Sequence, residues 1–200
     1  MGEAPPPLVI VVSGPSGAGK DALVDRILEV SQQFVRPVTM TTRPPRPGEV
    51  PGRDYIFVSP EEFHRHLEAG GLLEHARVYG NHLYGLPREQ LRRAIESGRD
   101  VIVRVDVQGV ASLRSLIPGA IFIMLAPDDL GHLERRLRER ATGEDDIQRR
   151  LAAAERELAR RDLFDRVVVN VEGALDATVE HILAIAAEER ARPGRTPVVV

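Results

Sequence analysis

The residue types and spacing that could do chemistry appear first near the N-terminus, where glycines surround the one lysine of the chain. Every other basic residue is an arginine, and Lys20 lies in SGPSGAGKD, residues 13–21. The spacing is G-x-x-x-x-G-K. Glycines let the backbone curl so that successive N–H groups face one anion, and a compact ammonium fits such a loop better than a wide guanidinium. The segment therefore predicts a binding site for a polyphosphate.

The elements on either side of this loop match that interpretation. Residues 8–13, LVIVVS, form an apolar run of strand length, and DALVDRILEVSQQ continues from the loop with helical spacing. A strand before and a helix after are the context in which this motif binds nucleotides, because the positive end of the helix adds to the loop's amides. The predicted ATP-binding residues are Gly14, Pro15, Ser16, Gly17, Ala18, Gly19, Lys20 and Asp21.

The rest of the chain alternates buried-strand and helical patterns. Further strands are expected within residues 100–109, 119–127 and 165–170. Helices are expected near residues 87–97, 108–116, 128–140, 144–162 and 174–190. This alternation predicts an α/β fold with a central parallel sheet flanked by helices. Residues 35–85 interrupt this strand–helix alternation, because they contain several prolines and short runs of alternating polar and apolar residues. They also include one predicted helix, with Ser59 as its N-cap and Pro60 at its first position. We interpret them as an inserted substrate-binding lobe.

Composition narrows the possible functions. The chain has 200 residues, which suits one domain, and its net charge of −3 argues against a nucleic-acid binder. It has no cysteine, so disulfides and thiolate metal sites are excluded. No apolar run reaches the roughly 18 residues of a membrane span, and the N-terminus has no signal-peptide pattern. We expect a cytoplasmic protein without membrane or nucleic-acid partners.

Further motifs along the chain resemble those of one enzyme family. The segments are SGPSGAGK, TMTTRPPRPGEVPGRDYIFVS, LLEHARVYGNHLYGLPREQL, VRVDVQG and RLRER…IQRRL, in that order. Together they resemble guanylate kinase, and the resemblance extends from about residue 8 to residue 190. It implies transfer of the γ-phosphoryl group of ATP to GMP, and to dGMP, giving ADP and GDP for purine metabolism. Mg²⁺ bound with ATP is implied as the cofactor, and a monomer or homodimer is expected.

The resemblance also divides the chain into functional parts. It implies a P-loop fold whose core comprises residues 8–34, 86–138 and 151–190. Residues 35–85 would form a small α+β GMP-binding lobe, and residues 139–150 a mobile lid. The ends, residues 1–7 and 191–200, are expected to be flexible tails.

The roles of individual side chains follow from the resemblance. The residues implied for GMP binding are Thr39, Arg43, Arg46, Tyr55, Glu74, Tyr84 and Asp106. The two arginines and two tyrosines would hold the phosphate, since forked guanidinium groups suit phosphate oxygens. Glu74 would accept hydrogen bonds from N1–H and the 2-amino group of guanine, which adenine cannot supply. Without the motif, Arg43 and Arg46 could simply pair with Glu49 and Asp54, and Glu74 could be an exposed acid at a helix end.

Catalysis would depend on positive charge around the transferred phosphoryl group. The implied catalytic residues are Lys20, Arg43, Arg140 and Arg150, the last two from the lid. Asn170 matches a position near the adenine of ATP. Asp21 and Asp106 are the candidate Mg²⁺ ligands, with an N-cap as the alternative for Asp106.

Four features depart from the family's common pattern. Asp21 stands where a serine or threonine is usual, and Arg104 stands where an acid is frequent. The segment GNHLYG, which carries Tyr84, is one residue longer than usual. The lid segment RATGEDDIQRR is one residue shorter, so the assignment of Arg150 depends on a gap.

Two other functions are compatible with parts of the sequence. A ribose 1,5-bisphosphate kinase can share the GKD of the loop, but it would not need Glu74 or TTRPPR. A guanylate kinase-like scaffold domain binds peptides without catalysis, but such domains tend to lose the loop lysine, which is present here as Lys20.

Overall fold

The computed structural model describes residues 5–78, 82–138 and 143–200. Its strands are β1 (Val9–Ser13), β2 (Phe34–Val35), β3 (Met40–Thr41), β4 (Ile56–Phe57), β5 (Leu72–Val78), β6 (His82–Pro87), β7 (Asp100–Arg104), β8 (Ile121–Pro127) and β9 (Arg166–Asn170). Its α-helices are α1 (Lys20–Val30), α2 (Pro60–Glu68), α3 (Arg88–Glu96), α4 (Val107–Leu116), α5 (Leu130–Arg138), α6 (Glu144–Leu158) and α7 (Leu175–Ala191). A 3₁₀ turn, Arg161–Leu163, follows α6.

A parallel sheet in the order β2-β7-β1-β8-β9 forms the centre of the molecule. All five residues of β1 are buried, as expected for a strand covered on both faces. Alternate residues of β1 point to opposite faces, so Ile10 and Val12 join a cluster with α1 and α7, whereas Val9 and Val11 join one with α3 and α4. The predicted α/β fold with a central parallel sheet is confirmed.

A second sheet belongs to the segment that breaks the strand–helix alternation. Its order is β4-β3-β6-β5, with β3 and β4 parallel and the other two pairs antiparallel. Its apolar cluster is small, with four buried residues: Met40, Phe63, Leu72 and Leu83. Ser59 caps α2 by accepting a hydrogen bond from the backbone N–H of Glu62 at 3.1 Å, and Pro60 begins the helix, as the sequence predicts.

The strand order fixes where a ligand can bind. The connection after β1 leads toward β2 on one side of the sheet, and β8 and β9 lie on the other. Such a reversal leaves a crevice at the carboxyl end of the central strand. Gly14 follows the last residue of β1, so the glycine loop lies at this crevice.

Two elements end differently from the sequence prediction. The strand expected over residues 100–109 ends at Arg104, and α4 already begins at Val107. The alternating apolar residues resemble a strand, but Val107, Val110 and Leu113 share the buried face of a helix. The helix expected over residues 144–162 ends at Leu158 and continues as the 3₁₀ turn.

The C-terminal segment differs from the flexible tail expected over residues 191–200. Val198 is buried in the cluster beneath α3 and α4, and Arg92 donates to the carbonyl of Val200 at 3.4 Å. The physical reason is that a valine side chain gains free energy by covering apolar surface at this end of the sheet. Within the described ranges, no helix is long and apolar enough to span a bilayer.

Candidate active site

The glycine loop adopts a conformation that only glycine tolerates at several positions. Gly14, Gly17 and Gly19 have φ angles of 145°, 85° and 94°. A Cβ atom on Gly14 would lie 2.2 Å from the carbonyl oxygen of Leu125 in β8. The loop therefore lies directly against the neighbouring strand, which fixes its path between β1 and α1.

Lys20 folds back over this loop. Its Nζ donates to the carbonyls of Gly14 at 2.5 Å and of Pro15 at 3.0 Å. Burial lowers the pKa of Lys20, and the nearby carboxylates of Asp106 and Glu157 oppose that shift. The ammonium therefore lies against the loop. There, a phosphate oxygen could replace the two neutral carbonyl oxygens as its hydrogen-bond acceptor.

The start of α1 is open to an anion. Gly19 precedes the helix, and among the described residues no side chain caps it. The first amides of a helix have no intrahelical partner, and the helix dipole makes this end positive. Together with Lys20, these groups form a cradle for phosphates.

Asn170 supports the loop from behind. Its Nδ2 donates to the carbonyl of Ala18 at 2.9 Å, and its Oδ1 accepts from the hydroxyl of Thr178 at 2.9 Å. A Cβ atom on Gly19 would lie 2.6 Å from the Asn170 nitrogen. The residue assigned to the adenine environment by resemblance therefore lies buried at the last position of β9, in contact with the phosphate loop.

A second cluster lies in the inserted lobe around Arg43. Its Nη1 and Nη2 donate to the two carboxylate oxygens of Glu49 at 2.9 and 2.8 Å, and its Nε donates to the Tyr84 hydroxyl at 3.1 Å. The hydrogen bonds from Arg43 lower the pKa of Glu49, and those to Glu49 raise the pKa of Arg43. In this state a carboxylate occupies the fork that a phosphate would use.

Aromatic rings enclose the same guanidinium. The Arg43 Cζ atom lies 5.3 Å from the centroid of the Tyr55 ring, and Tyr55 meets Tyr84 edge-on at 5.9 Å. Burial raises the pKa of Tyr55 to about 12, so its hydroxyl stays a hydrogen-bond donor at neutral pH. The extra residue in GNHLYG leaves Tyr84 within this cluster.

Two further GMP candidates of the lobe, Arg46 and Thr39, lie close in sequence to this cluster. The Arg46 backbone N–H donates to Glu49 at 2.7 Å, while the Arg46 side chain is exposed. Thr39 is half-buried, and its carbonyl accepts from the Ile56 N–H at 2.8 Å. Both residues border the lobe sheet, close in sequence to the cluster around Arg43.

Glu74 is a buried carboxyl group in a strand. It is 6 % exposed, and it lies in β5 next to an irregularity in the pairing with β6. Its side chain packs against Gly109 of α4, where a Cβ atom would lie 2.2 Å from Glu74 Oε1. Burial, with a contribution from Asp106, raises the pKa of Glu74 to about 8. Across the described residues, no group donates a hydrogen bond to this carboxyl, so it is open to a ligand that brings donors.

Asp106 lies between the loop and the lobe. The charge of its carboxylate raises the pKa values of Glu74 and Glu157 and opposes the lowering of the pKa values of Lys20 and Arg104. It occupies the N-cap position of α4 but makes no capping hydrogen bond to that helix's described residues. Its carboxylate is therefore available to a ligand between the two sites.

Asp21 and Arg104, both departures from the family pattern, form an ion pair. Arg104 also donates a hydrogen bond to the Tyr55 hydroxyl. Asp21 is thus already neutralised by a guanidinium. Over residues 5–78, 82–138 and 143–200, no three His, Cys, Asp or Glu side chains are grouped to hold a metal ion.

The lid candidates are only partly described. Arg150 lies on α6, where its Nε donates to Asp146 at 2.8 Å and its side chain is 16 % exposed. Arg140 lies outside the described residues. The structure therefore places one of the two lid arginines on a defined helix.

One acid of the site was not predicted from the sequence, and a second was named only as a possible ion-pair partner of the loop arginines. Glu157 on α6 is half-buried, and burial raises its pKa to about 7 although Lys20 opposes the shift. It shares a helical face with Arg150 and the buried Ala154, a spacing that could have indicated it. Glu49 is the second acid: the alternative in which it pairs with a loop arginine is what the structure shows, since it accepts from Arg43.

Comparisons with known proteins agree with this arrangement. The family model described as Guanylate kinase matches residues 7–189. The chain is 49% identical over 163 residues to a guanylate kinase of Rubrobacter xylanophilus, covering 81% of this chain and 85% of that protein. It is 43% identical over 190 residues to guanylate kinase 2, chloroplastic/mitochondrial, of Oryza sativa subsp. japonica, covering 94% of this chain and 66% of that longer protein.

A solved structure is similar as well. The crystal structure of guanylate kinase from Anaplasma phagocytophilum superposes with a TM-score of 0.77 at 29% identity, covering 96% of this chain and 90% of that one. The matched family model covers the loop, the inserted lobe and the last strand alike. The chain therefore belongs to the guanylate kinase family.

Proposed function

We propose that the protein transfers the γ-phosphoryl group of ATP to GMP, and to dGMP, giving ADP and GDP. The observation that carries this proposal is Glu74, a carboxyl group that is 6 % exposed and has a pKa raised to about 8. Burial disfavours the carboxylate form of this group, and a ligand with two adjacent N–H donors offsets that cost. Guanine offers N1–H and the 2-amino group side by side, whereas adenine does not.

The glycine loop would bind the donor nucleotide. Its amides and the start of α1 would hold the β and γ phosphates, while Lys20 would leave the carbonyls of Gly14 and Pro15 for a phosphate oxygen. Asn170 would keep the loop in place through the Ala18 carbonyl. The donor site would thus need little rearrangement beyond one side chain.

The lobe would bind the acceptor's phosphate. Arg43 would exchange Glu49 for phosphate oxygens, because a forked guanidinium pairs with either group in the same geometry. The hydroxyls of Tyr55 and Tyr84 would donate to the same phosphate, and Arg46 is exposed at the rim to join them. Thr39 would assist Glu74 in reading the base.

Transfer between the two phosphates needs alignment and positive charge rather than a protein nucleophile. Lys20, Arg43 and the lid residues Arg140 and Arg150 would supply that charge. When bound, Mg²⁺ would neutralise charge on the β and γ phosphates. Asp106 suits it, since Mg²⁺ uses one or two carboxylates plus substrate phosphates.

The proposed substrates also determine the cellular location and the partners that we expect. ATP and GMP are free nucleotides, so we propose a cytoplasmic enzyme that works as a monomer or homodimer without nucleic acid or membrane. Its role would be to return GMP to the nucleotide pool used in purine metabolism.

The test is an ADP-release assay with ATP and Mg²⁺ that offers GMP, dGMP, AMP, UMP and ribose 1,5-bisphosphate in parallel. We expect turnover with GMP and dGMP, at least about 10³-fold above AMP, because unpaired buried polar groups discriminate strongly. Turnover of ribose 1,5-bisphosphate in preference to GMP would contradict the proposal, and so would nucleotide binding without any transfer.

A further inference from the structure

Two unusual residues of the sequence meet in the structure. Asp21 is the second residue of α1, and Arg104 is the last residue of β7. Arg104 is the register partner of Val12 in β1, so its side chain emerges beside the strand end that leads into the phosphate loop. There its guanidinium pairs with the Asp21 carboxylate. The two departures from the family pattern are thus one interaction.

Arg104 also contacts the inserted lobe. It donates a hydrogen bond to the Tyr55 hydroxyl, and its Cζ atom lies 5.5 Å from the centroid of the Tyr55 ring. Tyr55 in turn packs edge-on against Tyr84, whose hydroxyl accepts from Arg43. A continuous series of contacts therefore joins the start of α1 to the arginine fork of the acceptor site.

Charge explains why the two residues occur together. The Arg104 side chain is only 19 % exposed, and burial lowers its pKa while Asp106 opposes the shift. A guanidinium this buried requires a counter-charge, and the carboxylates of Asp21 and Asp106 both supply one. An acid at position 104 would instead face Asp21 and Asp106, placing three carboxylates together. An arginine at position 104 therefore suits an acid at position 21, whereas a second acid does not.

We propose that Arg104 is a positioning residue that couples the phosphate loop to the GMP lobe: anchored by Asp21, it holds the Tyr55 hydroxyl for the acceptor's phosphate. This inference rests on the proposed function. It assigns Asp21 the role of counter-ion to Arg104, which differs from the magnesium ligand suggested by its place in the loop. An ion pair that merely stabilised the fold would affect unfolding but not the affinity of the folded protein for GMP.

A double-mutant cycle tests the coupling through Tyr55. The variants are Arg104→Ala, Tyr55→Phe and their combination, with dissociation constants for GMP measured by calorimetry without ATP or Mg²⁺. We expect each single change to weaken GMP binding about 10-fold, and the combination to weaken it by about the same factor, because both remove one interaction. A combined loss of about 100-fold, the product of the two, would overturn the coupling.

A conservative variant separates positioning from stability. Arg104→Lys keeps a charge for Asp21 but cannot reach two partners with one planar fork. We expect its thermal midpoint to stay within about 2 °C of the parent protein while GMP binding weakens about 5- to 10-fold. Parent-like GMP affinity in a folded Arg104→Lys protein would refute the positioning role. Arg53→Ala, an exposed arginine of the same lobe, serves as the matched control with unchanged GMP affinity.

A charge exchange tests the pairing itself. Asp21→Ser removes the ion-pair partner of Arg104, and Arg104→Asp gathers three acids, so each should lower the thermal midpoint by several degrees. The Asp21→Ser/Arg104→Asp protein should regain most of that loss. Additive losses in the double variant would show that the two residues are independent.

The parent protein distinguishes the two levels of the proposal. If it binds GMP and produces GDP while Arg104→Ala and Arg104→Lys keep parent affinity, only the inference about Arg104 is refuted. If the parent protein neither binds GMP nor transfers phosphate to it, the proposed function fails, and the inference about Arg104 fails with it.

Discussion

In the proposed function, the phosphate loop and the inserted lobe would bind phosphate through different chemical groups. The loop uses backbone: positive-φ glycines, the open start of α1, and a path fixed against Leu125 of β8. The lobe uses side chains, with Arg43 held between Glu49, Tyr84 and the Tyr55 ring. The loop borders the large central sheet, whereas the cluster of buried apolar residues described in the lobe has four members.

This difference indicates what holds each site in its conformation when no ligand is bound. Backbone amides need no counter-ion, so in the loop only Lys20 must move away from carbonyls. An arginine fork buried among aromatic rings needs one, and Glu49 supplies a carboxylate with the same two-pronged geometry as phosphate. The proposed donor site is thus built from backbone, and the proposed acceptor site is held by an exchangeable internal partner.

The largest expected effect comes from the one side chain on which the loop depends. Lys20→Met removes the ammonium that would stabilise the negative charge developing on the transferred phosphoryl group. We therefore expect turnover to fall about 10³-fold or more. The thermal midpoint should be unchanged or higher, because a buried ammonium with a lowered pKa is lost. Steady-state kinetics and thermal unfolding measure both effects. Arg93→Met, an exposed change on α3, is the control, and near-normal turnover in Lys20→Met would contradict a loop-centred donor site.

The next effect tests the acceptor side of the comparison. Arg43→Lys keeps the charge but loses the fork that pairs with Glu49, and we expect kcat/KM for GMP to fall roughly 100-fold. The dissociation constant for ADP should not change, because the loop is built separately. Calorimetry with each nucleotide alone checks this division, and an equal loss of ADP affinity would show that the two sites are not independent. Arg53→Lys in the same lobe is the matched control.

The sequence predicts the loop and the core far better than the contacts inside the lobe. Spacing alone places Gly14 to Lys20 between a buried strand and a helix, because a backbone site is encoded by glycines and local periodicity. The pairing of Glu49 with Arg43 and of Arg104 with Asp21 has no such period, since it depends on side chains from loops and distant strands. Glu157 is an intermediate case. The helical periodicity predicts which face of α6 it occupies, but the sequence does not predict the electrostatic influence of Lys20 and Asp106 on it.

Glu74 shows the same limit within one residue. A motif can suggest that this carboxylate reads a base, but its burial arises from packing against Gly109 of a helix that follows more than thirty residues later. The strand pattern of VIVRVDV likewise conceals that a helix begins at Val107. The sequence therefore does not predict the tertiary packing around Glu74, and that packing determines its pKa.

A smaller effect, and one that depends on pH, is expected for Glu74→Gln. With a pKa of about 8, ligand-free Glu74 is mostly protonated at pH 7, whereas guanine requires the carboxylate. GMP affinity should therefore rise as pH increases from 6 to 8, and binding at pH 7 should release protons. Glu74→Gln should weaken GMP binding about 10- to 50-fold at pH 8 and reduce this pH dependence. That loss corresponds to about 1.4–2.3 kcal/mol, in the lower part of the range for hydrogen bonds to a charged group.

Unfolding provides an independent reading of the same group. The folded-state pKa of Glu74 lies above its ordinary value, so the folded protein binds this proton more tightly than the unfolded chain. Its contribution to the free energy of unfolding therefore decreases as pH rises from about 4.5 to 8. Glu74→Gln should remove that decrease, and the neighbouring exposed change Glu68→Gln should not. Identical pH profiles for the parent protein and Glu74→Gln would contradict the burial of this carboxyl.

The smallest effect concerns the support behind the loop. Asn170→Ala leaves the carbonyl of Ala18 and the hydroxyl of Thr178 without a shared partner, so we expect ATP affinity to fall about 5-fold, corresponding to roughly 1 kcal/mol for one net hydrogen bond. GMP affinity should not change.

A comparison of ATP and GTP as phosphoryl donors distinguishes two roles for Asn170. A residue that supports the loop affects both donors by the same factor, because it acts through the phosphates. A residue that touches the adenine would weaken ATP alone, and that result would shift Asn170 from the backbone-built loop to a base-reading role.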